Sequence, residues 1–387
     1  MNTRDQEYNK YLHKLAENLD ISDTMRDKAI ESYTAVGRWL GDCADDSSVK
    51  IAPQGSFYLG TVVKPVSDKD EYDIDLVCLL KDKHGASEYE IKNLVGDRLK
   101  EHGTYAKMLD AEEGKRCWTL NYDEFHMDIL PSAPKDSVYL EPYLTALRLT
   151  HKVAPSEYIP KYSNPYKYHD WFEGRMQVQL MEMKKSFAAK NQVEISKIPL
   201  YRVKTPLQRA IQLLKRHRDI MYQNAPKSQK DNAPISIIIT TLAAHAYNNE
   251  GSVFEALDSI INNMQNFIEN RDGVYWVENP AMPEENFAEK WNTEPQKRTE
   301  FVRWLGQAKQ QILTAPSEVF GLHKISEAME DSFGSNIVRK SFSDLGYQTK
   351  EDRDAGNLYV AGLTGGLTTS SDNGANKVGG HTFFGKK

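Results

Sequence analysis

Cysteine is scarce: Cys43, Cys78 and Cys117 are the only three in 387 residues. An odd, widely spaced set excludes a disulfide framework and lacks metal-ligand spacing, so all three read as small buried hydrophobes. No run approaches the ~20 consecutive apolar residues that a membrane helix needs. The first residues, Met1 to Glu7, contain no apolar stretch of the kind a secretory signal carries. A cytoplasmic location away from membranes is therefore expected. A basic excess is missing too, since 49 Lys and Arg against 55 Asp and Glu leave a formal charge of -6. Proteins that grip a long nucleic acid draw much of their affinity from cation–phosphate contacts, so no long nucleic acid is expected as a partner. A small anion in a locally basic pocket stays compatible. What is present suits a globular chain of roughly two or three structural units, with 40% hydrophobic and 10% aromatic residues and a mean hydropathy of -0.63.

Apolar residues recur at helical spacing from Ser22 to about Cys43, with Ser22 or Asp23 placed to cap the start. The period then changes. Residues 49–56 read as a short strand entering a turn, and Asp73 to Leu80 as a strand whose second half is apolar throughout, as in a central strand covered on both faces. Ser87 to Glu101 returns to helix. Tyr105 to Leu109, Cys117 to Tyr122 and Phe125 to Leu130 read as further strands. The stretch from Pro131 to about Pro199 has no clear period and is rich in Tyr and Pro. Helices are expected at 206–222, 234–247, 252–268 and about 297–313, with Pro206 and Pro234 in first-turn positions. The division expected is an N-terminal helical segment 1–21, an α/β lobe 22–199, a helical lobe 200–345 and a flexible Gly-rich tail 346–387.

Asp73 and Asp75 carry the chemistry. Residues i and i+2 of a strand face the same way, so the two carboxylates stand side by side while Ile74 enters the core. Adjacent carboxylates at the end of a buried strand are costly unless a cation lies between them. Mg²⁺ suits, because it takes carboxylate oxygens and keeps positions for phosphates and water. By itself an Asp-x-Asp pair usually marks a solvated strand end. Two further features add weight. Gly55-Ser56 follows a strand and opens a helix, where backbone N–H groups, a hydroxyl and the helix dipole can receive a phosphate. Asp128 is a lone acid in the apolar strand Phe125 to Leu130, and three acids on neighbouring strands would make one two-metal site.

Gly55-Ser56, Asp73-x-Asp75 and a later Asp128 resemble the signature of the polymerase-β-like nucleotidyltransferases. The wording Pro53-Gln54-Gly55-Ser56-Phe57, Glu71 to Val77, Leu207 to Asp219 and Pro234 to Leu242 is similar to the cGAS/DncV-like enzymes (CD-NTases) of bacterial CBASS anti-phage defence, over about residues 20–320. The resemblance implies an α+β fold, a nucleotidyltransferase palm with a helical second lobe in a two-lobed cGAS/OAS-like architecture. It implies a synthase that condenses nucleoside triphosphates, ATP among them, into a cyclic di- or trinucleotide messenger. Asp73, Asp75 and Asp128 would hold two Mg²⁺ ions, with Mn²⁺ able to substitute. Gln54, Gly55, Ser56, Lys215 and Ser236 would contact nucleotide, and Lys215 heads a basic run, 215–218. The alternative is a template-independent transferase that makes linear oligonucleotides or extends an RNA end, which the acids alone do not distinguish. A non-catalytic nucleotide sensor would be marked by loss of an acid, and all three are present.

From about Ala355 the tail has eight of the chain's 23 glycines and closes with Phe383-Phe384-Gly385-Lys386-Lys387. Exposed Phe pairs are unfavourable unless something binds them. In the type II branch of the family an E1/E2-like ligase joins the synthase's C-terminus to targets, which makes Phe383, Phe384 and Gly385 a candidate conjugation tail. The closing Lys-Lys departs from that pattern and leaves the conjugated residue open.

Overall fold

A computed structural model describes residues 3–41, 48–67, 71–136, 146–198, 202–319, 321–360, 367–369, 371 and 374–379. The chain opens with helices α1 (Thr3–Asn18) and α2 (Asp23–Leu40). Ser22 Oγ accepts from the Met25 N–H at 3.1 Å, and Gly41 closes α2 in the left-handed region at φ 114°, which glycine adopts without the Cβ penalty. Strand β1 (Val49–Gln54) runs into a one-turn helix, α3 (Gly55–Tyr58). Then come β2 (Tyr72–Leu80), α4 (Glu88–Lys100), the short α5 (Tyr105–Met108), β3 (Trp118–Asn121), β4 (Phe125–Pro134), β5 (Leu147–Ala154) and β6 (Glu157–Ser163).

These strands form one sheet in the order β1-β2-β4-β5-β6, with β3 also paired to β4. The β2–β4 pair is parallel, and the others are antiparallel. Alternation in β2 divides its side chains between two faces. Ile74, Leu76 and Cys78 enter a core shared with α2 and α4, while Val77 and Leu79 meet Leu147 and Leu149 on the other face. The last five residues of β2 are all buried, which is why that stretch reads as an unbroken apolar run.

The second lobe is helical: α6 (Pro165–Asn191), α7 (Pro206–Gln223), α8 (Lys227–Lys230), α9 (Ser236–Ala246), α10 (Val253–Asn263), α11 (Pro295–Ala308), α12 (Ala315–Glu318), α13 (Leu322–Phe333) and α14 (Ser335–Asp354). Thr205 and Gln208 form a capping box ahead of Pro206 at the start of α7. Its core takes in α1 through Tyr8, Tyr11, Leu12 and Leu15, and even Leu59 from beside the Gly-Ser turn.

Several expectations need correction. Residues 105–108 are helical, not a strand. The stretch after Pro131 holds the end of β4, a β5–β6 hairpin and the 27-residue helix α6; its tyrosines and histidine, Tyr166, Tyr168 and His169, are buried on α6. The helical lobe therefore begins near residue 164, not 200, and α1 packs into it. Helix α14 runs through the boundary expected at 345, and 359–360, 367–368 and 376–377 pair as a small three-stranded sheet. Cys43 and the candidate tail residues Phe383, Phe384 and Gly385 lie outside the described residues. Cys78 is buried, whereas Cys117 is half-buried. Among the described residues no helix is long and apolar enough to cross a membrane.

Candidate active site

The register of the sheet assembles the acids. Gln54 pairs with Asp75 across β1–β2, and Asp75 pairs with Asp128 across β2–β4, one residue pair beyond Ile74 and Met127. Asp73 sits two residues earlier on the same face, opposite His126. Ile74, Met127 and Ile129 are fully buried on the reverse face, so the core fixes which way the carboxylates point.

Each acid has a different setting. Asp75 is half-buried under Gly55, where φ is +60° and a Cβ would come within 2.4 Å of its Oδ2. Only glycine allows the turn to lie so close to the carboxylate. Burial pushes the Asp75 carboxyl up to about 7, with Asp128 and Asp73 adding to the rise and Lys215 opposing it. Asp128 Oδ1 accepts from Thr119 Oγ1 at 2.6 Å, a positioning bond from the strand on its other side. Asp73 is exposed and turns toward His126, whose Nδ1 lies 3.8 Å from its Oδ1 while its Nε2 meets Glu71 at 2.5 Å.

Asp73 and Asp75 open onto a cavity of about 670 Å³ between the lobes. Gly55, Ser56, Asp73, Asp75, Lys215 and Ser236 all line it, whereas Gln54 and Asp128 do not. Gln54, paired with Asp75 in the β1–β2 ladder, stands on the acid-bearing face beside the cavity's edge strand. Lys215 is buried, and its Nζ donates to Thr61 Oγ1 at 3.1 Å and Thr61 O at 3.4 Å. Burial, reinforced by Arg218, lowers its amine to about 7 against the pull of Asp219 and Asp75. Ser236 is met by Arg218, whose Nη1 donates to its Oγ at 3.0 Å and to Pro234 O at 3.0 Å. Arg218 also pairs with Asp219 at 2.7 Å. Of the basic run, Arg216 and His217 turn away: Arg216 Nε donates to Phe333 O and His217 Nε2 meets Gln311.

Four side chains of α7 hold the segment that follows the Gly-Ser turn. Gln208 Nε2 donates to Leu59 O at 2.9 Å, Gln212 Nε2 to Val62 O at 2.7 Å, Lys215 to Thr61, and Arg216 Nη1 to Lys64 O at 3.4 Å. Their spacing places them along one side of the helix. Thr61 N–H returns to Ser56 O at 2.9 Å, which ties this comb to the turn itself. Sequence reading missed Gln208, Gln212, Thr61 and Thr119. Buried glutamines beside a capping box were the one local signal, and their partners lie about 150 positions away. Arg202 and Lys204, just ahead of α7, pair with Asp23 and Asp20.

The donor set suits a hard divalent cation. It is all carboxylate oxygen, and the mutual repulsion expressed in Asp75 is what a bound cation would relieve. As they stand, no three His, Cys, Asp or Glu side chains among the described residues are close enough to hold an ion together. Asp73, drawn toward His126, is the acid that would have to swing back.

A palm sheet with these acids facing a helical lobe defines a two-lobed nucleotidyltransferase. The sequence pattern described as "Cyclic GMP-AMP synthase DncV-like, nucleotidyltransferase domain" matches residues 49–131, the span from β1 to β4. The chain is 30% identical over 386 residues to a c-di-GMP synthase of Roseivirga ehrenbergii, covering 97% of this chain and 96% of that one. It is 26% identical over 351 residues to the cyclic dinucleotide synthase CdnG of Bradyrhizobium diazoefficiens, covering 85% and 81%. The fold matches the structure of the Bradyrhizobium diazoefficiens CD-NTase CdnG in complex with GTP at TM-score 0.65 and 22% identity, over 88% of this chain and 99% of that one. It also matches Escherichia coli CdnC with ATP at TM-score 0.55 and 15% identity, over 85% and 98%. The chain belongs to the cGAS/DncV-like nucleotidyltransferases, the CD-NTases, and is a cyclic oligonucleotide synthase that draws on nucleoside triphosphates and divalent metal ions.

Proposed function

We propose that the product is a cyclic dinucleotide built from GTP, c-di-GMP, with Mg²⁺ as the physiological cation and Mn²⁺ able to replace it. The observation that carries the chemistry is the arrangement of Asp73 and Asp75 across one cavity from Lys215, Arg218 and Ser236, with Asp128 paired beside Asp75 on the next strand. The choice of base rests on near full-length similarity to a synthase of that name.

In each round the ribose hydroxyl of one nucleotide attacks the α-phosphorus of the other. A new P–O bond forms, the bond to the β-phosphate oxygen breaks, and pyrophosphate leaves while the hydroxyl proton passes to solvent. The Ser56 turn, Lys215 and the Arg218–Ser236 pair receive the donor triphosphate, whose charge lowers the cost of keeping Lys215 protonated. Asp73 and Asp75 face the donor phosphates, and Asp128, steadied by Thr119, faces the attacking hydroxyl. Bound at these acids, divalent ions supply charge neutralisation of the phosphoryl group and activation of the hydroxyl. Joining of the C-terminal tail to targets by an E1/E2-like ligase, through the stretch Phe383-Phe384-Gly385, belongs to the same reading, as do anti-phage signalling and a cytoplasmic location.

The test is incubation with each NTP and with the four together in Mg²⁺, phosphatase treatment, and mass spectrometry. A phosphatase-resistant product of cyclic diguanylate mass from GTP alone is expected. Linear or RNA-extended products would overturn the cyclic reading, and a cyclic product with other bases would overturn the choice of GTP.

A further inference from the structure

We infer that His126 is a positioning residue for Asp73: seated on Glu71, it holds that acid apart from Asp75 and Asp128 in the free enzyme, so that the cation site stays unassembled until a triphosphate brings a cation to it. This rests on the proposed function, in which all three acids serve divalent ions.

Sheet register places the group. Glu71 directly precedes β2 and continues its alternation, and Glu71, Asp73 and Asp75 line the same cavity. On the parallel neighbour β4, His126 stands opposite Asp73, and Asp128 opposite Asp75, each about one strand spacing (~4.8 Å) away. The imidazole spans two of these carboxylates. Its Nε2 meets Glu71 Oε2 at 2.5 Å, and its Nδ1 lies 3.8 Å from Asp73 Oδ1. On the other flank Asn121, paired with His126 in the β3–β4 ladder, gives its amide to Asp110 Oδ1 and Met108 O. The ring therefore turns to β2.

The three acids differ in what holds them. Asp128 takes the Thr119 hydroxyl at 2.6 Å, and Asp75 lies under Gly55. Asp73 has 72% of its side chain open to solvent, and among the described residues the His126 ring is the one partner of its carboxylate. Charge, not packing, therefore sets where Asp73 points. Asp75 and Asp128 repel it, and the ring draws it the same way. Two placements follow: outward on His126, as in this structure, and inward beside the other acids, where a cation must offset the repulsion. The outward placement is why no three His, Cys, Asp or Glu side chains among the described residues are close enough to hold an ion. A cation arriving alone has to take Asp73 from His126, and its affinity falls by the fraction of enzyme with Asp73 inward. A cation arriving on a triphosphate has Lys215, Arg218 and Ser236 across the cavity as further holds, which offset that cost.

Binding of Mn²⁺ alone to the nucleotide-free enzyme, followed by the EPR signal of the unbound ion, tests this without turnover. His126→Ala should bind Mn²⁺ about 5- to 10-fold more tightly than the parent, because Asp73 is no longer held outward. His126→Leu, which keeps much of the bulk of the ring, should show the same gain and serves in its place if the alanine variant melts early. His126→Asn keeps an N–H at the Nδ1 position and should bind Mn²⁺ as the parent does. Unchanged or weaker Mn²⁺ binding by both the alanine and the leucine variants overturns the assignment. So does an asparagine variant that matches alanine, since the ring would then act by its charge and not by holding Asp73. Asp75→Asn added to His126→Ala should remove the gained affinity. A gain that survives there would instead overturn the acids as the cation site, and with them the proposed function, so the two failures are distinct.

Discussion

At the scale of single residues the acids are held in a state the fold alone disfavours. Asp75 is raised to about 7 by burial and by its neighbouring acids, so its contribution to stability is full below about pH 4 and is lost as pH rises through 7. Replacing it removes that loss. Asp75→Asn should therefore abolish product, yet unfold at the same temperature as the parent near pH 4 and at a higher one at pH 8. A pH series of melting curves without added metal would check it, and a lower melting temperature for the variant at pH 8 would contradict the assignment of strain to this carboxylate. Lys215 runs the opposite way: its stabilising contribution is full above its ordinary range and is lost as pH falls through about 7, so it does not mimic the Asp75 signature. The acids and Gly55-Ser56 were legible in the sequence because each breaks a local pattern, a charge in an apolar strand or a glycine after one. Thr119 and Thr61 were not legible, since threonine in or near a strand fits β preference without any further role. Gln54 stands directly opposite Asp75 in the β1–β2 ladder, on the face that carries the acids, without lining the cavity.

Among the elements, α7 joins the lobes by hydrogen bonds to backbone carbonyls as well as by the apolar packing of Leu59. Gln212 is the strongest case, a fully buried amide that donates to Val62 O and to Asp20 Oδ1. Gln212→Leu leaves both acceptors without that donor and should cost about 1–3 kcal/mol for each buried group left unsatisfied. It should also lower kcat about 10- to 100-fold in the folded enzyme with little change in KM, because a ~1 Å shift of the Ser56 turn misplaces the reacting phosphate. Steady-state kinetics well below the variant's melting temperature would check this. A normal kcat there would reduce the comb to a purely structural tie. The start of α7 was readable from Thr205, Pro206 and Gln208, and the helix was placed within a residue of its observed end. Its function as a comb was not readable, because glutamines at helical spacing look like a solvated face until the segment at 59–64 is laid against them. The one-turn helix at 105–108 was read as a strand from the five residues Tyr105 to Leu109, too few for either period to declare itself.

The whole molecule is two cores tied through one small acid at the α1–α2 junction. Asp20 receives Lys204, Arg209 Nη1 at 2.7 Å and Gln212 Nε2 at 2.8 Å. Lys64 N–H bonds the preceding Leu19 O at 2.8 Å, so the segment beyond the Gly-Ser turn, the first two helices and α7 all meet there. A division drawn from composition put the boundary at residue 200, since it followed where periodic helices resume. The structure puts α1 and α6 in the helical core instead, because their buried faces, Tyr11, Leu12 and Leu15 on one and Phe172 and Met176 on the other, find partners only in the later helices. Burial would raise the Asp20 carboxyl, but Lys204, Arg209 and the Gln212 amide outweigh it and hold the group below the ordinary carboxylate range. The stability this supplies is present above pH ~4 and is lost as pH falls through the lowered folded value. Asp20→Ala strands Lys204, which burial already lowers to about 8, and should cost about 3–5 kcal/mol at neutral pH. Because the parent itself loses the charge in acid, the gap between parent and variant should narrow as pH falls below about 4. Denaturant titrations at pH 7 and pH 3 measure that gap directly. A deficit of equal size at both would show that Asp20 acts through packing and hydrogen bonds alone, with its charge contributing nothing to the union of the lobes.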